Sequence, residues 1–552
     1  MIPIPLLLIA FLWSVRVVRA AAFHTALWQT KEYRWDRMRA HLSLAESSWL
    51  VLPIVGSSEF VILLLLAFLP GAGAIAEWIL GGLYAYETVL FFREVSERRL
   101  HRPKWTSRAI LTFLATVGGT WIAAGVSVMA FNANVPVLPL ALIVGDRMLP
   151  AIAALAVLVL HPWARKAKLR TIKEATERRA AHPNLTVIGV TGSYGKSTTK
   201  EIAAILLNSP KEVLKTPANT NTEIGVAQFV LSSLTPEHRL FVCEMGAYRR
   251  GEIRNIAAIV RPTIGVLTAV TTQHLELFGS LDHLKETKYE LIAALPESGT
   301  AIFNMDDPVC RELAARTKHC HVLRCGSSTE SGKLDVICTV IAEEPKGLPA
   351  AASPEAKQAG MKIRVKTPSG TFEATTALIS PAFATNIALA VGVAHVLKVP
   401  LTEIRDRLAT VRPLPRTMEP RTLKDGTLVI DDSYSANPEG VRMALSALAA
   451  RPQKKKIVLL TPMIELGPAG RAAHEAVGAA LATHGFERVY VMGQSFRSEL
   501  QNGVGLSGSN ILFGRRPAHV LKELSALRGP DTVILLEGRV PTQLRDSLLA
   551  EA

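Results

Sequence analysis

Thr191-Gly192-Ser193-Tyr194-Gly195-Lys196-Ser197-Thr198 is the stretch that decides the fold. The apolar run Leu185–Val190 before it reads as a buried strand, and Thr199–Leu207 after it reads as a helix. Strand, glycine loop, Lys-Ser, helix is the arrangement that a nucleotide phosphate requires. Glycines let backbone N–H groups approach the phosphate oxygens, and the helix N-terminus adds partial positive charge. Lys196 is placed to reach the terminal phosphates, and the Ser197 hydroxyl to bind Mg²⁺. The strict Walker spacing would put glycine at position 190, where this chain has Val190, so the loop is a variant, G-x-x-G-K-S-T. A plain glycine turn before a helix would not need the Lys-Ser-Thr that follows.

On the N-terminal side the texture is that of a membrane protein. The chain has 552 residues, 49% hydrophobic, with a net charge of +15. That length predicts three or four domains. A membrane-spanning helix needs about 20 mostly apolar residues. Ile2–Val15, Trp49–Leu69, Ala74–Phe92, Ala109–Phe131 and Val135–Trp163 approach this. Arg16 and Arg19 follow the first run, whereas a signal peptide carries its positive charge before it. Three loops are basic: Lys31–Arg39, Arg93–Arg108 and the stretch after Trp163. The turns at Pro70–Gly73 and Asn132–Asn134 carry no positive charge. That asymmetry predicts about five spans, with everything after Trp163 in the cytoplasm. The positive charge is then explained by topology and lipid headgroups, and no nucleic acid is required. Glu59, Glu77 and Glu87 lie in or near apolar runs. Each is either a substrate contact, an interfacial residue or a hydrogen bond between helices.

The expected organisation is therefore multi-domain. Residues 1–163 form an α-helical membrane domain and 164–185 a basic juxtamembrane linker. Residues 186–411 form an α/β P-loop ATPase domain, and 412–552 a Rossmann-like α/β domain. In the last of these, Leu428–Asp432, Lys456–Thr461, Arg488–Gly493 and Thr532–Leu536 read as strands separated by helices. Asp432 falls at a strand's carboxyl end, where such sheets bind ligands. Glu244 ends another apolar run, Leu240–Cys243, and a carboxylate there suits Mg²⁺, a hard ion that prefers oxygen. The five cysteines are an odd number with no CxxC pair, as in a reduced cytosolic protein. Cys310, Cys320, Cys325 and Cys338 lack the paired C-x₂₋₄-C halves of a zinc site.

Downstream of the loop a series of segments keeps one order: Thr216-Pro217-Ala218-Asn219-Thr220-Asn221 through Gly225; Glu244-Met245-Gly246-Ala247 with Gly251-Glu252-Ile253; His274-Leu275-Glu276-Leu277-Phe278-Gly279-Ser280; Lys288-Tyr289-Glu290; Asn304-Met305-Asp306-Asp307; Asp431-Asp432-Ser433-Tyr434-Ser435-Ala436-Asn437-Pro438; and Met463-Ile464-Glu465-Leu466-Gly467 with His474. Together with the variant phosphate loop, these resemble the Mur ligase family from about Thr186 to the C-terminus. Several are marks of the branch that adds D-alanyl-D-alanine to a muramoyl tripeptide.

The resemblance implies an ATP- and Mg²⁺-dependent ligase of peptidoglycan precursor synthesis, which activates a carboxylate as an acyl phosphate for attack by an amine. Gly192, Ser193, Tyr194, Gly195, Lys196, Ser197 and Thr198 would hold the nucleotide phosphates, with Asn386 at the adenine and Arg416 and Asp432 at the ribose or phosphates. Ser197 and Glu244 would hold the first magnesium. His274 would bind a second one, although a lone histidine is ordinarily just a polar contact. Lys288 is either a solvated lysine or, by resemblance, a carbamylated one that binds the second metal. Lys196, His274 and Lys288 form the implied catalytic set, and Asn219, Asn221, Tyr434 and Asn437 the implied substrate set.

The chain also departs from the family. Ordinary members begin with a soluble domain that binds the UDP part of the substrate. Here only Ala164–Leu185 separates the last apolar run from the phosphate loop, whereas a domain needs at least about 50 residues. The motif G-x-H-N-x-x-N becomes Ser380-Pro381-Ala382-Phe383-Ala384-Thr385-Asn386, and Tyr-Asn-Ala-Asn becomes Tyr434-Ser435-Ala436-Asn437. The late K-G-S-R becomes Glu537-Gly538-Arg539, which reverses a charge. ATP activation is expected to be kept and substrate recognition to have shifted. The muramoyl peptide would be UDP-linked or lipid-linked, and the amine D-alanyl-D-alanine or another. The alternatives are a poly-γ-glutamate-type or amidating membrane ligase, and a non-catalytic nucleotide-binding scaffold.

Overall fold

The computed structural model describes residues 4–42, 73–96, 100, 102–130, 137–207, 212–271, 278–328, 332–343, 360–464, 466–505 and 510–550. The chain divides into two compact units, 1–170 and 171–552.

The first unit is helical. Among the described residues four helices are long and apolar enough to cross a membrane: Leu6–Thr30, Ile75–Ser96, Ser107–Ala130 and Leu138–Ala180. Four stand where five were expected, because the candidate span Trp49–Leu69 and Glu59 lie outside the described residues. The first helix does not stop at Val15 but runs on through Arg16 and Arg19 to Thr30. The reason is that both arginines have acidic partners on other helices. Arg16 bonds Asp146 at 3.0 Å and also pairs with Glu87, while Arg19 Nε bonds Glu94 at 3.1 Å. Trp13 Nε1 and Tyr84 Oη donate to the same Asp146, each at 3.1 Å. Glu87 is therefore an interhelical ion-pair partner. Around this polar centre pack Trp13, Val17, Leu80, Tyr84, Leu142 and Ile143.

The expected linker at 164–185 is mostly helix. One continuous helix runs Val137–Ala180, with Pro150 and Pro162 inside it. Beyond Pro162, as far as Ala180, the sequence is mostly Ala, Lys, Arg and Glu with no Gly or Pro, a composition that favours helix. Its last turns belong to the second unit. There Ala175 enters the core. Arg179 donates to Val260 O, His182 O and Leu185 O at 2.7–2.9 Å, and Arg178 to Leu234 O at 2.8 Å.

The second unit carries two sheets. The first has nine strands: β1 (Thr186–Thr191), β2 (Val213–Lys215), β3 (Leu240–Glu244), β4 (Ile264–Leu267), β5 (Thr300–Asn304), β6 (His321–Gly326), β7 (Val336–Glu343), β8 (Met361–Thr367) and β9 (Gly370–Thr376). Their order is β2-β3-β1-β4-β5-β6-β7-β8-β9, parallel as far as β7 and antiparallel through β8 and β9. Successive residues of one strand feed two cores. Val187, Phe241 and Cys243 pack on one face with Ile256, Leu291 and Leu313. Ile188, Val190 and Val242 pack on the other with Ile202, Leu206 and Ile387. A sheet covered on both faces reads as near-continuous apolar runs, which is why its central strands are visible in the sequence.

The second sheet has six strands: β10 (Glu419–Thr422), β11 (Leu428–Asp432), β12 (Lys455–Leu460), β13 (Arg488–Val491), β14 (Ile511–Phe513) and β15 (Thr532–Glu537). Their order is β10-β11-β15-β12-β13-β14, with only β10 antiparallel. In both sheets the strand order reverses beside a central strand. The carboxyl ends there open the crevice in which doubly wound sheets bind ligands.

Candidate active site

The loop between β1 and the helix Lys196–Leu207 is held by two glycines that no other residue replaces. Gly192 has φ +151°, and a Cβ there would lie 2.1 Å from Thr268 Oγ1 and 2.9 Å from the Ala269 nitrogen. At Gly195, φ +77°, a Cβ would meet Asn386 Nδ2 at 2.5 Å. Both close approaches are made by the segment following β4 and by the helix Phe383–Val396, so the loop is seated in the fold. Ser193 N donates to Ala269 O at 2.7 Å, Thr271 N to Ser193 Oγ at 3.0 Å, and Thr268 Oγ1 to Tyr194 O. Tyr194 is partly buried, and burial pushes its phenol up, helped by Asp307 and Glu439. Thr198 is buried in the first turn of the helix. Lys196 folds back over the loop, donating to Gly192 O and Ser193 O at 2.8 Å each.

Glu244, 2% exposed at the end of β3, receives Ser197 Oγ at 2.8 Å on one oxygen and Asn221 Nδ2 at 2.9 Å on the other. A hydroxyl and a carboxylate beside a phosphate loop are the hard oxygen donors that Mg²⁺ prefers, so these residues fit the implied ion. Lys200, one turn beyond Lys196, is fully buried. Its Nζ donates to Thr216 O at 2.7 Å and lies 3.6 Å from Glu244. It is a functional neighbour that the motifs do not mark, although its i,i+4 spacing from Lys196 puts both on one helix face.

Lys288 lies on the helix Leu281–Ala293 and is 3% exposed. Burial, and after it the charge of Lys196, lower its ammonium to about 7, against the opposing pull of Glu252 and Glu290. A large neutral-amine fraction near pH 7 follows. Glu252 and Glu290 are also bound to backbone, at Tyr248 N (2.7 Å) and Gly251 N (2.6 Å). His274 lies outside the described residues.

Asn386 donates to Thr199 Oγ1 at 3.0 Å and Gly195 O at 3.3 Å, so in this structure its amide braces the phosphate loop. Asn219, at φ +64°, accepts the Tyr434 hydroxyl, which brings the two α/β parts of the unit together at the site. Asn437 is spent locally. It caps the helix Pro438–Ala449, accepting Gly440 N at 3.0 Å. Arg416, at φ +63°, places Nε 3.1 Å from Ser433 Oγ, and Asp432 Oδ1 accepts Met418 N at 3.1 Å. Arg416 and Asp432 thus stand together at the carboxyl end of β11. The cysteines are free and do not gather, and no group of three or more metal-ligating side chains occurs among the described residues.

This geometry agrees with what the chain resembles. One family model, the Mur ligase middle domain, matches residues 190–394, and a second, described as the Mur ligase, glutamate ligase domain, matches 417–540. The UDP-N-acetylmuramoyl-tripeptide--D-alanyl-D-alanine ligase of Escherichia coli K12 is 30% identical over 320 residues, 58% of this chain and 67% of that protein. The enzyme of the same name from Mycobacterium tuberculosis H37Rv is 32% identical over 354 residues, 62% of this chain and 65% of that protein. A crystal structure of MurF from Acinetobacter baumannii superposes with a TM-score of 0.60 at 26% identity, covering 69% of this chain and 80% of that one. MurF from Thermotoga maritima in complex with ADP gives 0.59 at 27%, covering 70% and 82%. The chain belongs to the Mur ligase family of ATP-dependent, amide-forming ligases, and it spans about two thirds of the length of these curated relatives.

Proposed function

We propose that this chain joins D-alanyl-D-alanine to the terminal carboxylate of a muramoyl tripeptide, at the cytoplasmic face of a bacterial membrane. The observation that carries the reading is the set Ser197–Glu244–Asn221 at the mouth of the phosphate loop, with Lys196 and Lys288 beside it. A substrate carboxylate oxygen attacks the γ-phosphorus of ATP and ADP leaves, giving an acyl phosphate. The amine then attacks the acyl carbon, expels inorganic phosphate and loses a proton. Bound Mg²⁺ would neutralise phosphate charge, held by Ser197 and Glu244. Lys196 supplies fixed positive charge at the transferring group. Lys288, carbamylated, would add a carboxylate for a second ion. Asn221 and Lys200 hold Glu244 in place, while Arg416 and Asp432 present the nucleotide. Tyr434 and Asn219 close the two α/β parts over the substrates.

Four apolar helices ahead of the ligase part favour a substrate carried in the bilayer, a lipid-linked muramoyl tripeptide, over the UDP-linked one. The test is phosphate release by the detergent-solubilised full chain with ATP, Mg²⁺ and D-alanyl-D-alanine, with each muramoyl substrate in parallel. Turnover on the lipid-linked form alone is expected. Efficient turnover of the UDP-linked form alone would overturn the lipid-linked reading, and silence on both would overturn the muramoyl one. Lys196→Ala should lower turnover by roughly 10²–10³-fold, as for loss of one preorganised charge-stabilising group.

A further inference from the structure

The reversed charge at Glu537 has a counterpart in the structure. Glu537 ends β15 and Asp432 ends β11. The two strands are parallel neighbours in which these residues are register partners. Parallel register puts both side chains on the same face of the sheet, and the two carboxyls meet in hydrogen-bonding contact. Glu537 is 1% exposed, whereas Asp432 is half-buried. Glu537 Oε2 meets no N–H or hydroxyl donor among the described residues, while Asp432 Oδ1 has the Met418 N–H.

Among the described residues no cation from the surrounding elements forms an ion pair with either carboxyl. On β11 itself, Asp431 is held by Arg545 of the helix Thr542–Leu549 at 2.8 Å. On β10, Glu419 takes Arg416 N and Arg421. The Arg416 guanidinium, before β10, is spent on Ser433. The neighbouring phenol is Tyr434. Arg539, two residues beyond β15, is exposed. Thr461 at the end of β12 contributes a buried hydroxyl. Two carboxylates cannot bond unless they share a proton, and side by side in a buried place they cannot both ionise. The proton belongs on Glu537, the more deeply buried of the two.

We propose that Glu537 is a positioning residue, which stays protonated through neutral pH and donates to Asp432, fixing the Asp432 carboxylate for the nucleotide. Burial raises both groups above the ordinary carboxylate range. The nearby Gly538 N–H favours ionisation of Glu537 but is outweighed. The proposal rests on the reading of Asp432 as a nucleotide contact.

Two readouts on the full-length detergent-solubilised protein test it. Infrared difference spectra of the wild type against Glu537→Gln should contain the carbonyl stretch of a protonated carboxyl at neutral pH, fading as pH rises. In the wild type, KM for ATP should rise about tenfold as pH is raised above neutrality, the size of one lost charge-assisted hydrogen bond, with no matching fall in kcat. Glu537→Gln keeps an N–H donor and cannot ionise. Its KM should match the wild type near pH 7 and stay flat above. No protonated carboxyl, or equal pH profiles for wild type and Glu537→Gln, overturns the proposal. Asp432→Ala separates the two failures. If it leaves KM for ATP unchanged, the nucleotide reading of Asp432 is what falls, and the positioning role falls with it. If it raises KM while the profiles stay equal, only the role of Glu537 falls.

Discussion

Among single residues, Lys288 shows most clearly how burial becomes chemistry. The amine sits between Lys196, which opposes its charge, and two glutamates that support it, and burial decides the outcome in favour of a group near 7. Only the neutral amine can react with carbon dioxide to give a carbamate, so protonation below about pH 7 removes the reactive form. The sign is therefore an acid-side loss. kcat of the wild type should fall about tenfold per unit as pH drops through and below about 7. Added bicarbonate should lift the acid limb. Lys288→Arg, whose guanidinium stays charged, should be low and flat and indifferent to bicarbonate. A wild-type profile without an acid limb, or a Lys288→Arg enzyme that bicarbonate restores, would remove Lys288 from the reaction. The sequence marks Lys288 only through the motif around it. Nothing in the residue letters says that its helix turns it inward, and the same holds for Lys200. Burial of a lysine is a tertiary fact.

At the level of elements, the legible parts were those whose sequence and surroundings agree. β1, β3, β4 and β11 are apolar runs because both faces of a parallel sheet are covered, and the phosphate loop is written in glycines that two close contacts enforce. The short edge strands β10 and β14 bury little and leave no such run, and β8 and β9 alternate as antiparallel strands do. The stretch 164–180 looked like a linker because charge dominates it, yet lysine, arginine, glutamate and alanine are good helix formers, and the span preceding it supplies the nucleus. Asn437 illustrates a motif residue with a structural job. Its side chain closes the N-terminus of the helix Pro438–Ala449, so Asn437→Ala should destabilise the folded chain by about 0.5–2 kcal/mol, whereas Asn437→Asp or Asn437→Ser, which also cap, should cost much less. Denaturant midpoints of the three variants measure this. If all three change KM for the amine alike without shifting the midpoint, Asn437 serves the substrate instead.

On the scale of the whole molecule, the family and fold of the ligase part were readable from its motifs, whereas the helical unit was readable only as hydropathy. Which charges meet inside it depends on helix packing. Arg16 lies on the first helix, Glu87 on the second described span and Asp146 on the last, and in the sequence each is a charge beside or within an apolar run. In the structure Arg16 answers both carboxylates, and Trp13 and Tyr84 also donate to Asp146. A buried ion pair adds little net stability compared with apolar replacement, but removing one member leaves the other uncompensated, at about 3–5 kcal/mol. Arg16→Met should therefore strip the centre of its cation, leave two carboxylates facing each other, and lower the thermal midpoint of the detergent-solubilised protein sharply. Adding Asp146→Asn and Glu87→Gln to that variant removes the stranded charges and should recover most of the loss. The comparison is decisive because the triple variant carries more substitutions and fewer charges than the single one and is expected to be the more stable. If it is the less stable, the three side chains contribute through their hydrogen bonds individually and the charge balance does not govern the packing of these helices.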